Sequence, residues 1–360
     1  MNDIDNCTLL VSVLREPEKV SLLSLSQWDL LLRHARESRL LSRLAYELYQ
    51  HNDLVNIPEK VKMHLESAIT FAERQQQVVK WEVRCVTEAL HELDVPVVIL
   101  KGGAYVMADL PAAQGRVFSD IDILVPKGDI EAVEQGLFAA GWVTTHLDKY
   151  DQRYYRQWMH ELPPMQHHQR KSVLDVHHNI LPETAKAKPD AQLLLADIKP
   201  LDKAKNLYVL SPVDMIVHSA THLFYDGEFN HGLRDLHDMH DLICAFKAEE
   251  NFWQQLLVRA SQLGLGRPVF YALKHVKRLY HTDVPDDVLQ RMEQGAANGI
   301  VLLLMNRIFS FALRPPHSSC RTIASALARQ FLYIRAHYLR MPIHLLLPHL
   351  IRKALRSDDS

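Results

Sequence analysis

The sequence predicts an α+β fold, a small mixed β-sheet in mid-chain flanked by N-terminal and C-terminal helical regions. Three observations carry this. Apolar residues recur at helical spacing through the N-terminal part, and do so again from Ser211 onward. Between these regions the pattern changes to short runs, Val95 to Leu100 (VPVVIL), Asp120 to Val125 (DIDILV) and Val173 to Asn179 (VLDVHHN), each too short for a helix. Helix-like segments separate the runs, as expected of helix-connected strands around one mixed sheet. The expected organisation is a helical region over residues 1–94, a core over 95–182 and a helical domain over 211–356.

The elements follow in order. Ser24 to Tyr49 and Val61 to Leu93 have helical periodicity, separated by an Asn56-Ile57-Pro58 loop with proline near a helix start. After the Val95 to Leu100 strand, Lys101-Gly102-Gly103 reads as a turn leading into a short helix through Ala108. Asp120 to Val125 is the second strand, Gly128 to Ala140 a helix starting near Asp129, Trp142 to His146 a third strand, and Val173 to Asn179 a further one. Ser211-Pro212-Val213-Asp214 starts a helix, with serine as N-cap, proline at the first position and an acid in the first turn. Helices continue through Leu233 to Phe246, Phe252 to Leu263, Val269 to Tyr280 and Gly299 to Leu313. The last segment, Leu327 to Arg356, mixes apolar with basic residues. Pro342 and Pro348 interrupt it, which favours a helix closing the domain over one lying on a membrane.

Composition excludes several classes. The chain has 360 residues, of which 48% are hydrophobic and 23% charged, ordinary values for a globular protein with a substantial core. A formal net charge of −2 gives no global attraction to nucleic acid or anionic membranes. Cys7, Cys85, Cys244 and Cys320 lie far apart without a CxxC pair, which suggests neither a disulfide framework nor a zinc cluster. The start, MNDIDNC, does not read as a signal peptide, and no apolar run reaches membrane-spanning length. A soluble, cytoplasmic protein is expected.

The chemistry starts at Asp120 and Asp122. In a strand they project from one face, Cα atoms roughly 6.5–7 Å apart, while Ile121 and Ile123 enter the core. Two carboxylates on one face of a half-buried strand repel each other and resist desolvation unless a divalent cation or basic groups neutralise them. Upstream, Gly102 and Gly103 between strand and helix would let backbone N–H groups face an anion. Lys101 at the same turn and Arg116 four residues before Asp120 supply two cations. Asp175 is the candidate third acid, sharing a strand face with Val173 and His177, and a third acid is what a two-metal centre for phosphoryl displacement requires.

The order Leu100-Lys101-Gly102, Arg116, Ser119-Asp120-Ile121-Asp122-Ile123-Leu124-Val125 and Leu174-Asp175-Val176-His177 resembles the bacterial family of uncharacterised nucleotidyltransferases, within the polymerase-beta-like nucleotidyltransferase superfamily. The resemblance is strongest from Val95 to Ile180 and looser over the flanking helices. It implies transfer of a nucleoside monophosphate from an NTP to an acceptor with release of pyrophosphate, using Mg²⁺, with two ions during turnover. Asp120, Asp122 and Asp175 match the catalytic, metal-binding acids. Lys101, Gly102, Gly103, Arg116 and Ser119 are the nucleotide-binding candidates. Many superfamily members carry Gly-Ser where this chain has Gly102-Gly103, so Lys101 would take over the missing serine's contact. The acceptor, a small molecule, a protein or an RNA end, is not readable.

Two other readings compete. His218, His222, His231, His237-Asp238 and His240-Asp241 resemble the metal sites of HD-type phosphohydrolases, with His218, His237 and Asp238 as ligands. A degenerate core acting as a nucleotide-binding or accessory protein is the other, and the presence of all three acids weighs against it. His167-His168 and His177-His178 read as structural, although His177 shares the Asp175 face and can support a metal ligand.

Overall fold

The computed structural model describes residues 6–51, 57–145, 148–201, 205–227, 229–294 and 299–346. Among these residues seven strands, β1 (Val97–Ile99), β2 (Ile121–Leu124), β3 (Trp142–Thr144), β4 (Met165–His167), β5 (Val173–His177), β6 (Lys199–Pro200) and β7 (Leu207–Val209), form one mixed sheet ordered β3-β4-β5-β2-β1-β7-β6. The expected α+β fold with helical flanks is what the chain adopts. β2 lies antiparallel to β1 and parallel to β5, while β7 pairs with β1 in parallel. Val98, Ile99, Ile123, Leu124 and Val176 are wholly buried, as expected of apolar runs covered on both faces.

Helices α1 (Leu9–Arg15), α2 (Leu25–Glu37), α3 (Leu41–Gln50) and α4 (Glu59–Ala89) precede the sheet. Ser24 and Gln27 form a reciprocal capping box at the start of α2. The helical stretch expected from Ser24 to Tyr49 is interrupted at Arg39, whose φ of 55° is left-handed. Leu40 N–H then bonds back to Ala35 O at 2.7 Å and α3 starts afresh. Helices α5 (Lys101–Met107), α6 (Ile130–Ala139), α7 (Lys149–Trp158) and α8 (Ala191–Leu195) interleave with the strands, and α4 packs against β2, α5 and α6.

The C-terminal part contains α9 (Pro212–Asp226), α10 (Gly232–Phe246), α11 (Phe252–Gln262), α12 (Gly266–Tyr280), α13 (Asp286–Gln294), α14 (Gly299–Ala312) and α15 (Ile323–Arg340). Ser211 Oγ accepts the Asp214 N–H at 3.4 Å, the cap that the Ser-Pro-Val-Asp start predicts. Phe224 and Tyr271 pack their rings 4.9 and 4.8 Å from Phe309, joining α9, α12 and α14 in one core. α15 buries Ala328, Leu332 and Ala336 and packs on α9 and α14, closing the domain. From residue 347 the expected terminal segment lies outside the described residues, as do His146 and Asn56. Among the described residues no helix is long and apolar enough to cross a membrane.

Some details differ from expectation. Lys101-Gly102-Gly103 is the first turn of α5 and not a turn before it. Asp120 sits immediately before β2, which starts at Ile121. β4 is only three residues, Met-Gln-His, and α7 is dominated by polar side chains, so neither carries the apolar period that announces an element. β6 and β7 follow the last strand legible in the sequence, and β7 is held by pairing with central β1.

Candidate active site

Parallel pairing of β2 with β5 sets Ile121 opposite Leu174 and Asp122 opposite Asp175. In-register neighbours share a sheet face, so the two carboxylates lie side by side. Asp120 precedes them, exposed, and accepts a 2.8 Å hydrogen bond from Ser119 Oγ. Asp122 is only 4% exposed and therefore needs a counter-charge. It has two donors on one oxygen: Lys101 Nζ at 2.7 Å and His177 Nε2 at 3.1 Å from Oδ1. Burial alone would raise the Asp122 pKa, but Lys101 and His177 outweigh it and hold the group well below the usual carboxylate range. The same pairing outweighs burial at Lys101 and keeps it protonated.

Asp175 lacks such help. Its Oδ1 is buried with no hydrogen-bond partner. Burial and the adjacent Asp122 charge push its pKa up to about 7, despite a nearby His177.

Lys101 has a φ of 48°, a left-handed conformation that disfavours a side-chain-bearing residue by roughly 1–3 kcal/mol. Its ammonium nevertheless reaches the acid strand. Gly102 next to it leaves room for Arg116, since a Cβ there would overlap the guanidinium and lie 2.7 Å from Phe118 Cε1. Arg116 Nε donates to Asp238 Oδ2 on α10 at 2.7 Å, and the guanidinium lies 5.7 Å and 5.2 Å from the Tyr105 and Phe118 ring centres. The loop carrying Arg116 turns at Gly115, φ 64°, where a Cβ would come within 2.6 Å of Ser42 O.

Lys101, Gly102, Arg116, Ser119, Asp120 and Asp122 line one cleft of about 230 Å³. Its other wall is Ser219 and His222 from α9 with Arg234, Asp235 and Asp238 from α10. Larger cavities, two of about 740 Å³ beside α12 and α14 and beside α15, and one of about 500 Å³ that shares Arg39, Val117 and Ser119 with the cleft, contain none of these acids. Gly103 is buried against Ile99 and does not line the cleft. The sequence reading missed the role of α10: Asp238 is the partner of Arg116, and the only prior signal was the density of His and Asp there.

The alternative helical metal site is not assembled. Asp238 turns to Arg116, whereas the His237 ring packs 4.8 Å from Tyr280 with neither ring nitrogen hydrogen-bonded. His218 is buried beside Lys101, and burial followed by the Lys101 charge keeps it neutral. Successive helical residues point about 100° apart, so His237 and Asp238 serve different faces of α10. Among the described residues, the group of three donors whose ligand atoms all approach within 4.8 Å of one another is His160, Glu161 and His177. Asp120, Asp122 and Asp175 are not drawn together to that extent, and Asp175 is not among the residues that line the cleft.

Acids paired across β2 and β5 thus stand beside Lys101 at the glycine-bearing start of α5, with Arg116 in the loop before β2. The family model described as uncharacterised nucleotidyltransferase matches residues 24–281, more than half of the chain. The chain belongs to that family. Nucleotidyltransferases generally use divalent metals, and the family implies a nucleoside triphosphate substrate. No curated protein and no solved structure matches the chain.

Proposed function

We propose that this protein transfers a nucleoside monophosphate from an NTP to an acceptor hydroxyl and releases pyrophosphate. The observation that carries the reading is the in-register pair Asp122 and Asp175, with Asp122 and Asp120 lining a cleft that also contains Lys101 and Arg116. The donor set suits Mg²⁺: all three candidates are hard oxygen ligands, and the buried, unpartnered Asp175 Oδ1 needs a cation. Asp120, Asp122 and Asp175 would hold Mg²⁺, which would supply charge neutralisation at the phosphate oxygens. Lys101 and Arg116 neutralise the remaining phosphate charge and the departing pyrophosphate. Arg116 must exchange Asp238 for phosphate to do so. Asp175 would also accept the proton of the attacking hydroxyl.

Purified protein, Mg²⁺ and each α-labelled NTP, with cell extract as acceptor source, should give metal-dependent label transfer and pyrophosphate. NTP binding with no transfer to any acceptor class would place the protein among nucleotide-binding accessory factors instead. A second test concerns Gly102. Gly102→Ala is expected to raise the KM for NTP about tenfold, roughly 1.4 kcal/mol, because the new methyl displaces the Arg116 guanidinium. An unchanged KM would remove Arg116 from the nucleotide site.

A further inference from the structure

Residues 160–162 run antiparallel beside the end of β5. His178 N–H donates to His160 O and Leu162 N–H to Val176 O, both at 2.8 Å, and Glu161 bridges His177. This pairing gathers His160, Glu161 and His177 within 4.8 Å of one another at their ligand atoms. His177 Nδ1 lies 3.2 Å from Glu161 Oε2, and the His160 ring centre lies 5.3 Å from that of His177. His160 Nδ1 is buried without a hydrogen-bond partner. Burial holds the His160 ring neutral, with its ring lone pair available.

Two imidazoles and one carboxylate form a donor set for a borderline cation of the zinc type, whereas Mg²⁺ prefers oxygen alone. The outer contact agrees. A histidine that ligates a metal through one nitrogen usually donates its other N–H to a carboxylate, and His177 Nε2 faces Asp122 Oδ1 at 3.1 Å. We propose that His160, Glu161 and His177 bind one transition-metal cation of the zinc class, at a site distinct from the Asp120–Asp122–Asp175 acids. Coordination through His177 Nδ1 leaves the Nε2 N–H to donate to Asp122 Oδ1, and any proton on Nδ1 passes to solvent as the metal–nitrogen bond forms. His177 would thereby connect the two metal sites.

The test uses the full chain, stripped with chelator and then titrated with Zn²⁺, and with Co²⁺ as a spectroscopic probe. One equivalent of Zn²⁺ should stay bound through gel filtration in the parent and in Asp120→Asn, and Co²⁺ should show visible absorption from nitrogen ligation. His160→Ala and Glu161→Gln should each weaken Zn²⁺ binding by at least about 100-fold, more than loss of an outer contact brings. The conservative Glu161→Gln guards against misfolding, checked by an unchanged metal-free melting temperature. Absence of retained zinc in the parent, zinc binding indifferent to both substitutions, or its loss in Asp120→Asn would each overturn the proposal. None of these readouts depends on nucleotidyl transfer.

Discussion

Asp122→Asn should abolish nucleotidyl transfer, lowering kcat by at least about 10³-fold, the loss expected when a charge that acts on the transition state is removed. The effect is large because Asp122 has two partners at once. Its oxygen receives Lys101 and His177 and it lies in register with Asp175, so one substitution alters the acid pair and both donors. The amide keeps the shape but leaves Lys101 and His177 facing a neutral group. Breaking a buried pair in this way costs about 3–5 kcal/mol. Single-turnover transfer and thermal melting together test both halves. Adding Lys101→Met should recover melting temperature without recovering transfer, because it removes the orphaned charge and not the catalytic loss. Transfer by Asp122→Asn at near-parent rate would remove this residue from the mechanism.

Acidification from pH 6.5 to 5 should destabilise the fold by several kcal/mol. Burial holds His34 and His240 down to about 4 and His275 down to about 3. His160, His218 and His237 are held well below the usual histidine range, again by burial first. A folded histidine with a depressed pKa contributes fully above the unfolded value near 6.5, and that contribution is lost as pH falls toward the folded value. His34, His240 and His275 therefore each favour unfolding by roughly 2 kcal/mol between pH 6.5 and 5, and the other three act in the same direction. Carboxylates act the other way. Asp175 and Asp241, pushed up to about 7, and Asp214, pushed up to about 6, are each raised first by burial and take up a proton in the folded chain over the same range. His177 and Asp238, both raised in the folded chain, also oppose the loss, whereas His167, His178 and His231 are lowered and add to it, so the depressed histidines outnumber the opposing groups and a net loss remains. His275 is the cleanest probe, since it stacks on Phe224, its Nε2 has no partner, and its Nδ1 faces the Arg278 guanidinium at 3.2 Å. His275→Leu should reduce the slope of stability against pH by about 1.4 kcal/mol per unit. A melting temperature that holds steady or rises from pH 6.5 to 5 would refute the prediction.

Much of the cleft was legible because its residues are close in sequence. Asp120 and Asp122 are two apart, Lys101 and Gly102 are adjacent, and alternation or helical period tells which side each serves. Periodicity also located most of the long helices. The short elements escaped it, because three-residue strands such as Met165–His167 and Leu207–Val209 are stabilised by their neighbours' hydrogen bonds and have no pattern of their own.

Taken alone, then, the chain determines the α+β character, the apolar strand cores and the identity of the acids and cations, all matters of local pattern. Tertiary structure alone decides that Asp122 stands opposite Asp175, that Arg116 is held by Asp238 across 122 positions, that His237 turns away from that pair, and that Glu161 meets His177. These pairings are set by strand register and by burial against distant segments. Their free energies depend on which buried charges find partners, and no stretch of sequence contains both members of such a pair.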